Sequence, residues 1–305
     1  MLPEFHRRTQ SACENLVGES YEIVLVDDGS WDRTWSTIVS LASLNSHVVG
    51  VKLMRNHGHQ LAATAGLATC RGDRVLLIDV DLQDPPELVS QMWSLMDAGA
   101  DVVYGKRKSR EGETRFKRAT AFVFYRLLAR LTSVEIQVDS GDFRLMSRRV
   151  VDVLKSMPER QRFLRGMVSW IGGRQVPLEY ERKPRFAGTT KYPLKKMILF
   201  ALDALTSFSV RPLRIAFWFG MLSTAFAFLL FCYTVIGWLL GSTVVGWASV
   251  MATVSLFAGA QLAVLGIIGE YLGRLVQEAK GRPLFVIETI VQEMAEQQGR
   301  ISTVS

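Results

Sequence analysis

Arg74-Val75-Leu76-Leu77-Ile78-Asp79-Val80-Asp81-Leu82-Gln83-Asp84-Pro85-Pro86 decides how the chain folds. An apolar run that breaks into three carboxylates cannot continue through a core, so the strand it forms ends at a polar surface, and the Pro-Pro pair opens a new element. The same grammar occurs twice upstream. Glu22-Ile23-Val24-Leu25-Val26 runs into Asp27-Asp28-Gly29-Ser30, and Val48 to Leu53 leads into Arg55-Asn56-His57-Gly58. Trp31 to Leu44 and the stretch ending at Thr69 read as helices, and Asp101 to Tyr104 as a fourth strand. Strands alternating with helices of about 10 to 15 residues predict an α/β domain with a parallel sheet covered on both faces. In such sheets ligands sit at the carboxyl ends of the strands, where Asp27-Asp28 and Asp79-Val80-Asp81 both fall. Carboxylates gathered there repel one another unless a cation or a hydroxyl-rich ligand lies between them. Taken alone, Asp27 to Ser30 also reads as a turn with a helix cap.

Charge divides the 305 residues into three zones. Residues 1–104 carry 7 basic and 14 acidic side chains, 105–196 carry 23 and 9, and 197–305 carry 6 and 6, so the net charge of +7 is an average over unlike parts. With 49% hydrophobic and 21% charged residues and only 3 cysteines, the chain is neither disordered nor a disulfide scaffold. Cys13, Cys70 and Cys232 read as reduced packing residues.

Between Arg214 and Glu270 no charged residue or histidine occurs, a run of 55 residues where one membrane-spanning helix needs about 20. Two spans are expected, 213–240 and 247–272, broken around Gly241 to Gly246. Arg211 and Arg214 on one side and Arg274, Lys280 and Arg282 on the other put both ends in the cytoplasm, with 273–305 as a cytoplasmic tail. No cleavable signal sequence is expected at Met1 to Gln10. In the basic zone Arg107, Arg115, Lys117, Arg118, Arg126 and Arg130 interleave with Phe122, Phe124, Leu127 and Leu131 at helical spacing, an element for a lipid surface. A second such helix, 193–212, leads into the first span. No aromatic platform or recognised fold directs this charge to nucleic acid.

The chain has neither a Walker motif nor G-x-G-x-x-G after a strand. Asp27-Asp28-Gly29-Ser30, Arg55 to Gly58, Asp79 to Pro86, Ser140-Gly141-Asp142-Phe143-Arg144 and Arg162-Phe163-Leu164-Arg165-Gly166, in that order, resemble family 2 GT-A glycosyltransferases, and among them the polyprenyl-phosphate branch. The resemblance implies a Rossmann-like GT-A domain over 1–192 followed by the two spans. It also implies inverting transfer of a hexose from a nucleoside-diphosphate sugar to a lipid monophosphate at the inner membrane. Uridine diphosphate glucose is the expected donor, with a modified arabinose or mannose behind it. By position, Asp27, Asp28 and Asp79 become donor contacts, Asp81 and Gln83 ligands of Mg²⁺ or Mn²⁺, and Arg107 and Arg118 acceptor-phosphate contacts. Arg182, Arg185 and Lys191 become a loop over the donor diphosphate, with Gly188 as its hinge.

Asp142 is the candidate general base, and Arg144 belongs to the same motif. A phosphate dianion needs little deprotonation, so the alternative role for Asp142 is to orient Arg144 or sugar hydroxyls. Relatives of this kind begin one strand earlier, so an upstream strand is expected, without which Glu22 to Val26 loses a neighbour and exposes an edge. A tetramer is a further expectation. A processive polysaccharide synthase, which carries Gln-x-x-Arg-Trp and more spans, and a non-catalytic donor-binding scaffold are the alternative readings.

Overall fold

Residues 1–107, 140–181, 211–240 and 246–292 are described by the structure, a computed structural model. They form two compact units, the first of 1–107, 140–181 and 282–292, the second of 211–240 and 246–281.

The first unit begins with α1 (Leu2–Val17), β1 (Ile23–Asp27), α2 (Thr34–Leu44), β2 (Val48–Leu53), α3 (His59–Thr69) and β3 (Arg74–Leu77). A 3₁₀ turn (Pro86–Leu88), α4 (Val89–Asp97) and β4 (Val102–Arg107) follow, then β5 (Ser140–Ser147), α5 (Arg148–Ser156), α6 (Leu164–Ile171) and β6 (Gln175–Tyr180). The early elements fall where the apolar runs and their polar stops place them. The expected single parallel sheet is corrected: the sheet is mixed and in two parts, ordered β1-β2-β7 and β3-β5-β4-β6. β1 and β2 are parallel, as are β4 and β6. β5 runs antiparallel to both β3 and β4, because the α4 crossover leaves β3 and β4 one strand apart and β5 fills that gap in reverse.

β7 (Ile287–Gln292) pairs antiparallel with β2. Within the expected tail at 273–305, the first residues continue a helix and residues 287–292 complete a sheet. β2 is consequently central, with Val48, Val49, Val51 and Leu53 buried, each worth about 1.5–3 kcal/mol on transfer from water. Gly50 is required there, since a Cβ would lie 2.5 Å from Ile38 on α2 and 2.7 Å from Val291 on β7.

Among the described residues β1 has no partner on its other edge. The edge opens into a cavity of about 810 Å³, and β3, α1 and α3 line the rest of it through residues such as Leu76, Phe5, Cys13 and Gly66. Ile23 N–H donates to the His47 carbonyl at 2.8 Å, so by the alternation of a strand the amides of Val24 and Val26 point toward the cavity. Hydrogen exchange followed by NMR is expected to show those two amides about ten-fold less protected than Leu25 and Val51, the equivalent of one net hydrogen bond. Equal protection would mean that the cavity holds a strand.

The second unit contains α7 (Arg211–Leu239) and α8 (Trp247–Ala279), joined in part by Phe226 and Phe257, whose ring centroids lie 6.2 Å apart. Within α8, Leu256–Ala279 is long and apolar enough to cross a membrane, with a mean hydropathy of 1.5, whereas the apolar stretch Ala216–Leu230 of α7 is shorter. α8 runs beyond the expected end at residue 272 because Glu270 and Arg274, one turn apart, pair at 3.1 Å and carry charge along the helix. Of the expected 193–212 helix, residues 193–210 lie outside the described residues and Arg211 and Pro212 open α7; the basic helix around Phe122 lies outside them as well.

Candidate active site

Three strand ends and one helix start converge on an acidic centre. β1 ends in Asp27-Asp28, β3 leads into Asp79 and Asp81, β5 carries Asp142, and α3 begins at His59. Asp28 accepts from the backbone N–H of His57 at 2.7 Å with one carboxylate oxygen and from that of Gly58 at 2.8 Å with the other. The Asp28 side chain thus fixes the approach to α3. Gly29 makes the junction possible: its φ is +69°, and a Cβ there would lie 2.6 Å from the backbone N of Asn56. Asp27 is buried; its Oδ1 accepts from Ser30 N–H at 3.1 Å, and its Oδ2 has no hydrogen-bond partner among the described residues.

The segment after β3 is held from several sides. Asp81 Oδ1 accepts from Gln83 N–H at 3.1 Å, and Leu82 between them takes a left-handed φ of 58°, a conformation that costs a side-chain-bearing residue about 1–2 kcal/mol. Tyr180 donates a short hydrogen bond to the buried Asp84, and Arg8 of α1 grips Glu87 through two 2.7 Å bonds. These contacts hold the segment that carries Leu82 and Asp81 in place. Gln83 is buried, so of the expected metal pair Asp81 is the more open side chain.

Asp142 meets three side chains. His59 Nε2 lies 3.1 Å and Gln60 Nε2 3.0 Å from its Oδ2, and Arg165 of α6 lies 3.6 Å from its Oδ1. Gln60 also accepts the Leu164 N–H at 2.9 Å through Oε1, tying α3 to α6. Arg144, two residues along β5, is only 1% exposed; it donates to the Gly141 carbonyl at 3.1 Å, while its Nε and Nη1 have no hydrogen-bond partner among the described residues.

The electrostatics follow. Burial alone would raise the Asp142 carboxyl, but the His59 hydrogen bond and the charges of Arg165, Arg144 and His59 bring it down to about 2. Burial pulls the Arg144 guanidinium down to about 10, with Asp142 resisting and Arg165 assisting. Asp79 goes the other way. Burial raises it, His59 opposes, and the charges of Asp142, Asp81 and Asp84 add to the rise.

The structure therefore brings together Asp28, Asp79 and Asp142 of the expected site residues, with Arg144 buried beneath. Arg118, Arg182, Arg185 and Lys191 lie outside the described residues, and Arg107 is described only by its backbone at the end of β4. His59, Gln60 and Arg165 are the residues sequence reasoning missed, although each lies in or beside a motif it singled out. Arg162, in the same motif as Arg165, instead donates to the carbonyls of Leu154 at 2.8 Å and Met157 at 2.5 Å and secures the end of α5.

Among the described residues no group of three or more His, Cys, Asp or Glu side chains could cage a metal. The donor set fits a hard cation that keeps substrate oxygens as ligands: one open carboxylate, oxygen chemistry around it, and crowded neighbouring anions that a positive charge would relieve.

Residues 3–154 match the family described as Glycosyl transferase family 2. An uncharacterized glycosyltransferase, YkcC, of Bacillus subtilis (strain 168) is 44% identical over 271 residues, covering 88% of this chain and 84% of its own length. A prophage bactoprenol glucosyl transferase homolog of Escherichia coli (strain K12) is 39% identical over 290 residues, 95% of this chain and 94% of its own. The bactoprenol glucosyl transferase of Shigella phage SfV is 39% identical over 293 residues, 96% and 95%.

Proposed function

The chain belongs to glycosyl transferase family 2 and is a glycosyltransferase, and from that premise we propose that it moves glucose, with inversion, from uridine diphosphate glucose to a polyprenyl phosphate at the cytoplasmic face of the membrane. The observation that carries the reading is the identity of about 40%, over nearly whole chains, to proteins named bactoprenol glucosyl transferase. The acidic centre supports it, because a sugar nucleotide brings the hydroxyls and the cation that such a centre takes.

The acceptor is its own nucleophile. A phosphate monoester with a second pKa near about 6 is largely dianionic at neutral pH. One of its oxygens forms a bond to the anomeric carbon as the bond from that carbon to the diphosphate oxygen breaks, and the electron pair leaves with the nucleoside diphosphate. No proton has to move. Asp142, held at about 2, is a weak proton acceptor at neutral pH; its work is to orient, fixing Arg165 and accepting a sugar hydroxyl. Asp27 offers to the donor an oxygen that has no hydrogen-bond partner among the described residues, and Asp28 and Asp79 line its path. Asp81, with Gln83, would hold Mg²⁺ or Mn²⁺, which supplies positive charge to the leaving diphosphate. Arg107 and Arg118 are the proposed acceptor contacts, and Arg182, Arg185 and Lys191 the proposed cover of the diphosphate.

α7 joins α8 as a second span in this reading. Both expose large apolar side chains, among them Trp218, Leu222, Phe228, Leu262 and Leu265, a surface suited to acyl chains and costly in water. Two spans are a slim base for a domain of this size, which favours a tetramer. Donor screening with membranes containing the protein and undecaprenyl phosphate tests the sugar assignment. Glucose label is expected in the organic phase, and selective labelling by another sugar would reassign the donor.

A further inference from the structure

His59 has a geometry that the transfer chemistry above does not use. It opens α3, where Asp28 fixes the two preceding backbone amides, so its imidazole is delivered to the acidic centre by the fold. Its Nε2 lies 3.1 Å from Asp142 Oδ2 and 3.5 Å from Asp79 Oδ1. The imidazole therefore bonds the carboxylate borne on β5 and stands at ion-pair distance from the one on the segment after β3. The two partners are not equivalent. Asp142 is also held by Gln60 and Arg165, whereas among the described residues His59 is the cationic group that acts on Asp79.

We propose that His59 is a positioning residue that holds Asp79 toward Asp142 in the substrate-free enzyme and releases it when a nucleoside diphosphate with its divalent cation enters. This deepens the donor reading and rests on it. A divalent cation beside Asp81 supplies the positive charge that the imidazolium supplies in its absence, and two cations so close repel. The His59 side chain is 55% exposed, so it has room to turn to solvent.

The groups facing His59 are Asp142 from β5, Asp79 after β3, Asp28 after β1 and, across Asp142, Arg165 of α6. The hydrogen bond to Asp142 raises the imidazole above its ordinary value; burial opposes this, and the charges of Asp79, Asp142 and Asp28 add to the rise. At pH values where the imidazole carries its proton in the free site, ligand binding that displaces the imidazolium expels that proton, and donor affinity rises with pH through the His59 titration.

The test is calorimetry of uridine diphosphate with Mg²⁺ binding to the full-length protein in detergent, repeated in buffers of different ionisation enthalpy to count protons. Wild type is expected to release a measurable fraction of a proton near neutral pH, and its affinity to fall up to ten-fold per pH unit on the acid side. His59→Gln, which can still donate to Asp142 but carries no charge, is expected to bind with no such release and a flatter pH profile. Equal proton release and equal pH dependence in the two proteins would overturn the proposal while leaving the donor assignment intact. Absence of binding by any nucleoside diphosphate would overturn the donor reading and the proposal together.

Discussion

Replacing Asp142 by Asn is expected to lower the unfolding free energy by about 3 kcal/mol and turnover by about a hundredfold. The stability loss comes from beneath the site. Arg144 is almost wholly buried, and Asp142 is the anion whose charge offsets it, with Arg165 adding a second positive charge. Removing one member of a buried pair typically costs about 3–5 kcal/mol because the other charge stays buried and uncompensated; Asp142 is 15% exposed, which favours the lower end. Thermal melts in detergent should move down by about 6 °C or more. The activity loss is one of geometry, since the carboxylate orients Arg165 and sugar hydroxyls and small misplacements cost about 10²-fold. The pH dependence has a definite sign. A carboxyl lowered to about 2 from an unfolded value near about 3.9 contributes stability above about pH 4 and loses it as pH falls toward 2. Wild type should show this acid-side loss and Asp142→Asn should lack it; superimposable acid profiles would remove Asp142 from the account.

Asp81→Ala should behave in the opposite way, losing function with little change in stability. Alanine removes a bond to the Gln83 amide, worth about 1 kcal/mol, but also removes an anion that pushes on Asp79, so the melting temperature should stay within about 3 °C. Charge supplied to a leaving diphosphate is worth several kcal/mol, so kcat/KM for donor should fall about 10³-fold or more in Mg²⁺. Sugar transfer by Asp81→Ala within ten-fold of wild type would exclude this carboxylate from holding a cation.

The contrast between these residues shows what a linear chain discloses. β1, β2 and β3 are legible because each is an apolar run with a polar stop, and Asp28 and Asp79 stand out because carboxylates at such stops have no packing role, whereas Asp142 is reached only through the family resemblance of its motif. β7 is not legible. Its Ile-Glu-Thr-Ile-Val-Gln run could be any half-buried strand, and its partner β2 lies more than 200 residues earlier. The reversed direction of β5 is hidden for the same reason, since direction belongs to the gap between β3 and β4 and not to residues 140–147. His59 and Gln60 follow a motif whose last glycine looks like a boundary, and they acquire a role only when α3 is set against β5. Arg162 and Arg165 look alike in sequence, yet one turns to helix carbonyls and the other to Asp142, a choice made by where α6 begins.

The most direct test of the central claim uses the purified full-length protein, undecaprenyl phosphate, Mg²⁺ and uridine diphosphate glucose labelled in the sugar, with mass analysis of the organic phase. The expected product is a phosphodiester carrying a single glucose per lipid phosphate, formed only when the lipid phosphate is added and inverted at the anomeric carbon relative to the donor. Label in a water-soluble polymer, or a donor consumed without any glycosylated lipid, would contradict the account.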